Sequence, residues 1–326
     1  MAKTKSPRHG SMMYAPRVRA KRIYPRVSSK NLTNEAIPSE FAGYKVGMTH
    51  VKVIDDVKNS ATHNQEILIP VTVIEVPAVK VVGIKAYSKT PYGLKCEGEV
   101  RAEKHEKELL RKLKITTKKR NVSKEVETLE KGIENFEKVV VVVQTQPVKA
   151  GIDKKRPEVF EMDIGGTVSE AFAYAKENLG KELNASDILK SGSYVDAVAI
   201  TKGHGFQGSI KRFGVRLLPK KSQKLRRKAA NLGGFHPHKV KRTVPQMGQT
   251  GYHKRTDYNK RIISIANDVS NINKDGWNNY GLIKSPYVLI KGSVPGAKKR
   301  LIRIRNAIRL NQKDVSEPEV IAMHIK

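Results

Sequence analysis

Sixty consecutive residues, Ala197 to Thr256, contain 15 lysines and arginines and not one carboxylate. Nothing else in the chain constrains its fold as strongly. A packed domain needs large apolar residues to offset repulsion between like charges, and this segment has few. In the run KLRRK, Lys224 to Lys228, neighbouring cations lie well inside the Debye length of about 8 Å at physiological ionic strength, so salt does not screen them from one another. Such a segment is expected to be disordered alone and to order on an anion-dense partner. A second stretch, Met1 to Asn34, holds 9 cations and again no acid. Together the two carry +24 of a formal net charge of +32, while the other 232 residues keep 39 cations and all 31 acids. The sequence therefore describes a near-neutral body with two cationic extensions, and nucleic acid supplies phosphates at the density they require.

The remaining composition narrows the class. The 326 residues suit one large domain or two ordinary ones. A single cysteine, Cys96, excludes an internal disulfide and a thiolate zinc site. The most apolar stretch, Ile67 to Ile84, contains Pro70, Glu75, Pro77 and Lys80, so it does not read as a bilayer-spanning helix. MAKTKSPRHGSMMY has cations with no apolar run behind them and is not a secretory signal. We expect a cytoplasmic protein with no membrane partner, no small-molecule substrate and no cofactor.

Along the chain, Pro7-Arg8, Pro16-Arg17 and Pro25-Arg26 recur at a fixed interval, which blocks helix and predicts an extended basic arm over residues 1–36. A β-rich body follows, 37–326, with strands expected over Phe41–Asp55, Ile67–Tyr87, Tyr194–Thr201, Arg261–Ala266, Tyr287–Lys291 and Leu301–Arg305. An α/β insertion, 91–190, interrupts it. RAEKHEKELLRKLKI from Arg101 reads as helix, with Glu103 and Lys107 spaced for an ion pair. Val122, Val126, Leu129, Ile133 and Phe136 form one apolar helical stripe. Lys138 to Gln146, with five consecutive valines, reads as a buried strand, and Thr167 to Gly180 as a helix with Ser169 as a possible N-cap. In LIRIR, Ile302 and Ile304 share one face, leaving Arg303 and Arg305 for solvent or phosphate. The basic loop extension spans 202–260.

Four features of the basic segment bear on chemistry. GHGFQG, Gly203 to Gly208, has the GxGxxG spacing after a strand, but no acid follows before Asp257 and Gly214 and Pro219 interrupt the expected helix. A glycine turn leaving the sheet is the simpler reading. His204, His236, His238 and His253 lack a thiolate or carboxylate to offset a metal's charge, and two-metal nuclease chemistry needs clustered carboxylates, so no metal site and no catalysis are expected. Phe206, Phe213, Phe235 and Tyr252 follow no strand or helix period, which suits stacking on unpaired bases or local packing of the loop.

FAGYKVGMTHV, SYVDAVAITKGHGFQGSIKRFG, GQTGYHKRT and VLIKGSVPGAKKRLIRIR occur in this order, and on them the chain resembles the large-subunit ribosomal protein L-three family, archaeal and eukaryotic type. The resemblance implies a β-rich α+β fold built on a translation-protein-type β-barrel, with an α/β insertion, an extended N-terminal arm and a long RNA-penetrating loop. It implies a non-enzymatic constituent of the large ribosomal subunit. Such a protein binds large-subunit ribosomal RNA near its 3′ end, nucleates assembly and extends toward the peptidyl-transferase region. Its implied neighbours are other large-subunit proteins, fourteen and twenty-four-e.

Expected rRNA contacts are Arg8, Arg17, Arg19, Lys21, Arg22 and Arg26 on the arm, and Lys202, His204, Phe206, Lys211 and Arg212 at the loop base. Arg216, Lys220, Lys221, Lys224, Arg226, Arg227 and Lys228 follow along the loop, and Phe235, His236, His238, Lys239, Lys241 and Arg242 surround its apex. Tyr252, His253, Lys254 and Arg255 lie on the return. Many family members carry Trp where this chain has Phe235, and some a modifiable His or Gln near Gln223. The rival readings are a nucleotide-dependent enzyme using GHGFQG and a DNA-compacting protein.

Overall fold

The structure is a computed structural model and describes residues 9–27, 35–57, 60–115, 121–222, 225–229, 231–310 and 316–324. The fold is α+β and mostly sheet. Two compact units divide the chain, one drawn from 24–199 and 256–326, the other from 1–23 and 200–255.

The larger unit is organised by β1, Glu40–Ile54. Its fifteen residues pair along most of their length with β2, Glu66–Glu75. The N-terminal part of β1, Glu40 to Tyr44, also pairs with residues Leu301 to Arg305, and its C-terminal part, His50 to Val53, with residues of 320–324. After β3, Val79–Thr90, and β4, Gly93–Arg101, come the short helix α1, Lys107–Leu110, and α2, Val122–Glu130. Next are β5, Lys138–Gln144, β6, Val159–Asp163, α3, Val168–Glu177, β7, Glu182–Leu183, and β8, Tyr194–Ile200.

β9, Gly203–Gln207, α4, Ser209–Phe213, and β10, Gly248–Gly251, belong to the smaller unit. The chain ends with β11, Lys254–Ala266, β12, Tyr287–Lys291, β13, Leu301–Asn306, and β14, Val320–His324. One sheet runs β13-β8-β11-β12-β2-β1-β14, with β1 paired again to β13; a second runs β4-β3-β5-β6 with β7 beside β3.

Burial explains the pattern. Val71, Val73, Ile262, Ile290, Leu301, Ile302 and Ile304 join Val139, Val141, Val143 and Phe172 in a single core. All five valines of β5 are buried, which a continuous apolar run predicts for a strand covered on both faces. α3 packs on β5 through Ala171, Phe172 and Ala175.

Three local expectations are corrected. The Arg101 region is helical only over Lys107–Leu110, and Glu106 is extended, because its carboxylate accepts from Lys80 Nζ at 2.9 Å and Gln144 Nε2 at 2.6 Å. These sheet contacts override local helix propensity, and Glu103 and Lys107 do not share a helix. The cap of α3 is Thr167, two residues before Ser169: Thr167 Oγ1 accepts from Glu170 N, and Glu170 Oε2 accepts from Thr167 N at 3.1 Å, a complete capping box.

The third correction concerns Arg303, which has 2% of its side chain exposed. It pairs with buried Glu40, donates to Glu161 O at 2.7 Å and lies 4.2 Å above the Phe160 ring. Arg305 beside it pairs with fully buried Asp196 at 3.2 Å. β13 therefore has two buried faces, because carboxylates of β1 and β8 supply the counter-charges that solvent or phosphate was expected to supply.

Candidate nucleic-acid interface

The smaller unit is built on a hairpin. β9 and β10 pair antiparallel, Gln207 opposite Gly248 and Gly203 opposite Gly251, and the long basic loop leaves between them. GHGFQG is thus the outgoing strand of a stem, where a simple turn was expected. A helix does open after the third glycine, with Gly208 as N-cap, but α4 has five residues and ends at Gly214 in the left-handed region, φ +69°. An antiparallel hairpin cannot provide the parallel crossover of a dinucleotide site, and no acid follows for a ribose.

Below the stem, Tyr252 N donates to Lys202 O at 3.0 Å and Thr201 N to His253 O at 3.0 Å. Gly251 has φ +72°, and a Cβ there would stand 2.0 Å from Lys202 O, so only glycine lets the return strand pass.

Arg212 locks α4 to this stem. Its Nε donates to Gln249 O at 3.0 Å, Nη1 to Gln246 O at 3.1 Å and Nη2 to Arg17 O at 3.1 Å. The Arg17 and Arg212 guanidinium carbons lie 4.5 and 5.1 Å from the Phe213 ring centroid. Two like charges share one ring where the segments 1–23 and 200–255 contain no carboxylate. Burial, reinforced by Arg17, pulls Arg212 below its usual value. The ring's electron-rich face offsets part of this repulsion.

The arm is bound to the same base. Ala20 N donates to Tyr252 O at 2.8 Å, and Arg255 lies 4.4 Å from the Tyr14 ring centroid. Held between Ala20 and Lys202, Tyr252 adopts φ +55°, unusual for a bulky residue. His253 is buried with Nδ1 2.8 Å from Val18 O; a carbonyl only accepts, so Nδ1 carries the proton. Burial depresses the basicity of this imidazole, which favours the neutral tautomer.

Arg8 and Lys224 lie outside the described residues. Arg19, Lys21, Arg22, Arg26, Lys202, His204, Lys211, Arg216, Lys220, Lys221, Arg226, Arg227 and Lys228 are exposed, as are Lys239, Lys241, Arg242 and Lys254. Arg17, Arg212, Tyr252 and Arg255 are half-buried. Phe206 and Phe235 are 70% and 77% exposed. Phe235, His236 and His238 form an edge-to-face group with centroids 4.5 to 5.0 Å apart. Arg17, Arg212 and His253, expected as contacts, are engaged in joining arm to stem. Their carbonyl partners at Val18, Gln246 and Gln249 left no sequence signal, because backbone acceptors have no residue preference. Among the described residues no group of three or more His, Cys, Asp and Glu is placed to hold a metal ion.

Such a surface, cationic with exposed aromatics and no acid, can neutralise phosphates and stack bases but offers no acid–base pair for hydrolysis. The family model described as Ribosomal protein L3 matches residues 1–326. The chain is 46% identical over 307 residues to the large ribosomal subunit protein uL3 of Archaeoglobus fulgidus, covering 93% of this chain and 92% of that one. It is 44% identical over 326 residues to the protein of that name from Methanothermobacter thermautotrophicus, covering 98% and 97%. The corresponding Picrophilus torridus protein is 44% identical over 327 residues. With its whole length matched and its acid-free unit in place, the chain belongs to the ribosomal protein L3 family.

Proposed function

We propose that this protein is a non-enzymatic structural constituent of the cytoplasmic large ribosomal subunit. It binds large-subunit rRNA near the 3′ end, acts early in assembly and sends its basic loop toward the peptidyl-transferase region. The observation that carries this reading is the set of exposed cations in the arm and loop, Arg19, Lys211, Arg226, Arg227 and Lys228 among them, in a unit with no carboxylate, a charge arrangement that RNA phosphates would complete. The names of the similar archaeal proteins support it.

Within this reading, the pairing path β13-β8-β11-β12-β2-β1 and back to β13 supports a translation-protein-type β-barrel as the anchor. The arm 1–36 and loop 202–260 are the RNA probes, 91–190 is the insertion, and large-subunit proteins fourteen and twenty-four-e are the neighbours. The exposed cations of the arm and loop contact phosphate, and Phe206 and Phe235 contact bases. Arg17, Arg212 and His253 hold the two probes together beneath that surface.

The test is the affinity of the full chain for a transcript of the 3′ domain of large-subunit rRNA and for duplex DNA of equal length. The transcript is expected to bind far more tightly at physiological salt. Equal affinities would support the DNA-compacting alternative and contradict this reading.

A further inference from the structure

We propose that the basic loop contains a seat for one unpaired RNA nucleotide, its base held among Leu217, Leu225, Leu232 and Met247 and its phosphates on the run Arg226 to Lys228. This rests on the RNA-binding function above and adds a site to it.

The four apolar side chains are 44%, 56%, 50% and 62% exposed, and all of them line one cavity of about 920 Å³. Large apolar residues converging at a surface, in a segment otherwise dominated by cations, mark a surface awaiting an occupant. Hydrogen bonds hold part of the wall in place. Leu218 N donates to Arg226 O at 3.1 Å, and Arg226 Nε donates back to Leu218 O at 3.2 Å. Ser222 N also donates to Pro219 O at 3.1 Å and Leu225 N to Ser222 O at 3.2 Å. Leu217 and Leu225 are thereby fixed on the same cavity. Met247 reaches it from the foot of β10, where Arg212 holds the neighbouring Gln246 carbonyl.

Charge selects the occupant. Arg226, Arg227 and Lys228 line the same cavity, and the 60 residues around it contain no acid. An apolar protein side chain would fill the floor and leave three cations uncompensated. A nucleotide joins a flat base to phosphates in one unit, so it answers both features. Bases taken out of a stack are held in this manner, between apolar side chains with polar groups at their edge. Gln246 and Ser209, also on the lining, bring an amide and a hydroxyl that can donate or accept. The volume falls within the range of about 300 to 1,000 Å³ typical of sites for molecules of this size. The Phe235 group at the apex is a separate stacking element.

The test uses the full chain and a transcript of the large-subunit rRNA 3′ domain. Leu217→Ser with Leu225→Ser is expected to weaken binding about tenfold, in keeping with the loss of one base's stacking. The slope of log affinity against log salt should stay unchanged, since every phosphate-binding cation is retained. Affinity equal to wild type in a variant with native circular dichroism overturns the seat and leaves the RNA-binding function standing. A wild-type chain that does not bind the transcript overturns both. Independently of that variant's folding, Leu225→p-benzoylphenylalanine in assembled large subunits should photocrosslink to one rRNA nucleotide. A crosslink to a ribosomal protein instead assigns the cavity to a protein side chain and overturns the proposal.

Discussion

Arg303 of β13 and Glu40 of β1 form an ion pair with 2% and 1% of their side chains exposed. Glu40 stands opposite Arg305 in the strand register, so it meets Arg303 along the diagonal of the same face. Desolvation drives the Glu40 carboxyl up to about 7 against the opposing pull of Arg303. Removing one partner leaves a buried charge alone. Arg303→Met should cost about 3 to 5 kcal/mol in urea unfolding, whereas Glu40→Leu with Arg303→Met should recover most of the loss. Additive losses in the double variant would show that the two side chains act independently.

Asp56 and Arg261 form a second, less buried pair, with Arg261 Nη1 donating to Asp56 Oδ1 at 2.7 Å and the Ser316 hydroxyl donating to the same carboxylate. The Arg261 hydrogen bond holds the Asp56 carboxyl at about 2, below its ordinary 3.8. A carboxyl depressed in the folded state adds stability above its unfolded value and loses it as pH falls toward the folded one. Stability should therefore decline between about pH 4 and pH 2 by at most about 2 kcal/mol, since water partly reaches the pair. Asp56→Asn should flatten that limb of the stability profile measured by chemical denaturation.

The capping box of α3 separates two neighbouring side chains. Thr167→Ala should cost about 1 kcal/mol, because the Glu170 amide loses its acceptor. Ser169→Ala should stay within about 0.5 kcal/mol of wild type. Paired denaturation curves check the order, and the reverse order would return the cap to Ser169.

Three cations in sequence offer a charge count. Arg226, Arg227 and Lys228 are exposed on the loop. Replacing all three with Gln should reduce the magnitude of the salt slope of rRNA binding by about 2 to 3, at roughly 0.7 to 0.9 for each phosphate no longer neutralised. An unchanged slope would place these side chains in solvent rather than on phosphate.

The strands most legible in the sequence were those whose environment matched their pattern. β5 announced itself by five valines and β8 by the apolar run around its single acid in YVDAVAI, because a strand buried on both sides reads as a nearly continuous apolar stretch. LIRIR misled for the opposite reason: alternation of Ile and Arg implies one wet face only when no acid waits across the strand, and Glu40 and Asp196 both do. The break at Glu106 came from Lys80 and Gln144, distant in sequence. In the basic segment, charge counting singled out cations that the structure leaves exposed, such as Arg226 and Lys228. It missed that Arg212 spends its donors on three carbonyls, and it missed Leu217 and Leu225, whose common cavity depends on a turn that no hydrophobic period encodes.

The chain works as a fixed part of the large ribosomal subunit, held through its basic arm and loop. Sedimentation of cell extract in high salt tests it most directly, with the native protein followed across the gradient. The protein is expected to stay with the large subunit at one copy per particle. A protein that remains at the top of the gradient, or travels with DNA, would contradict it.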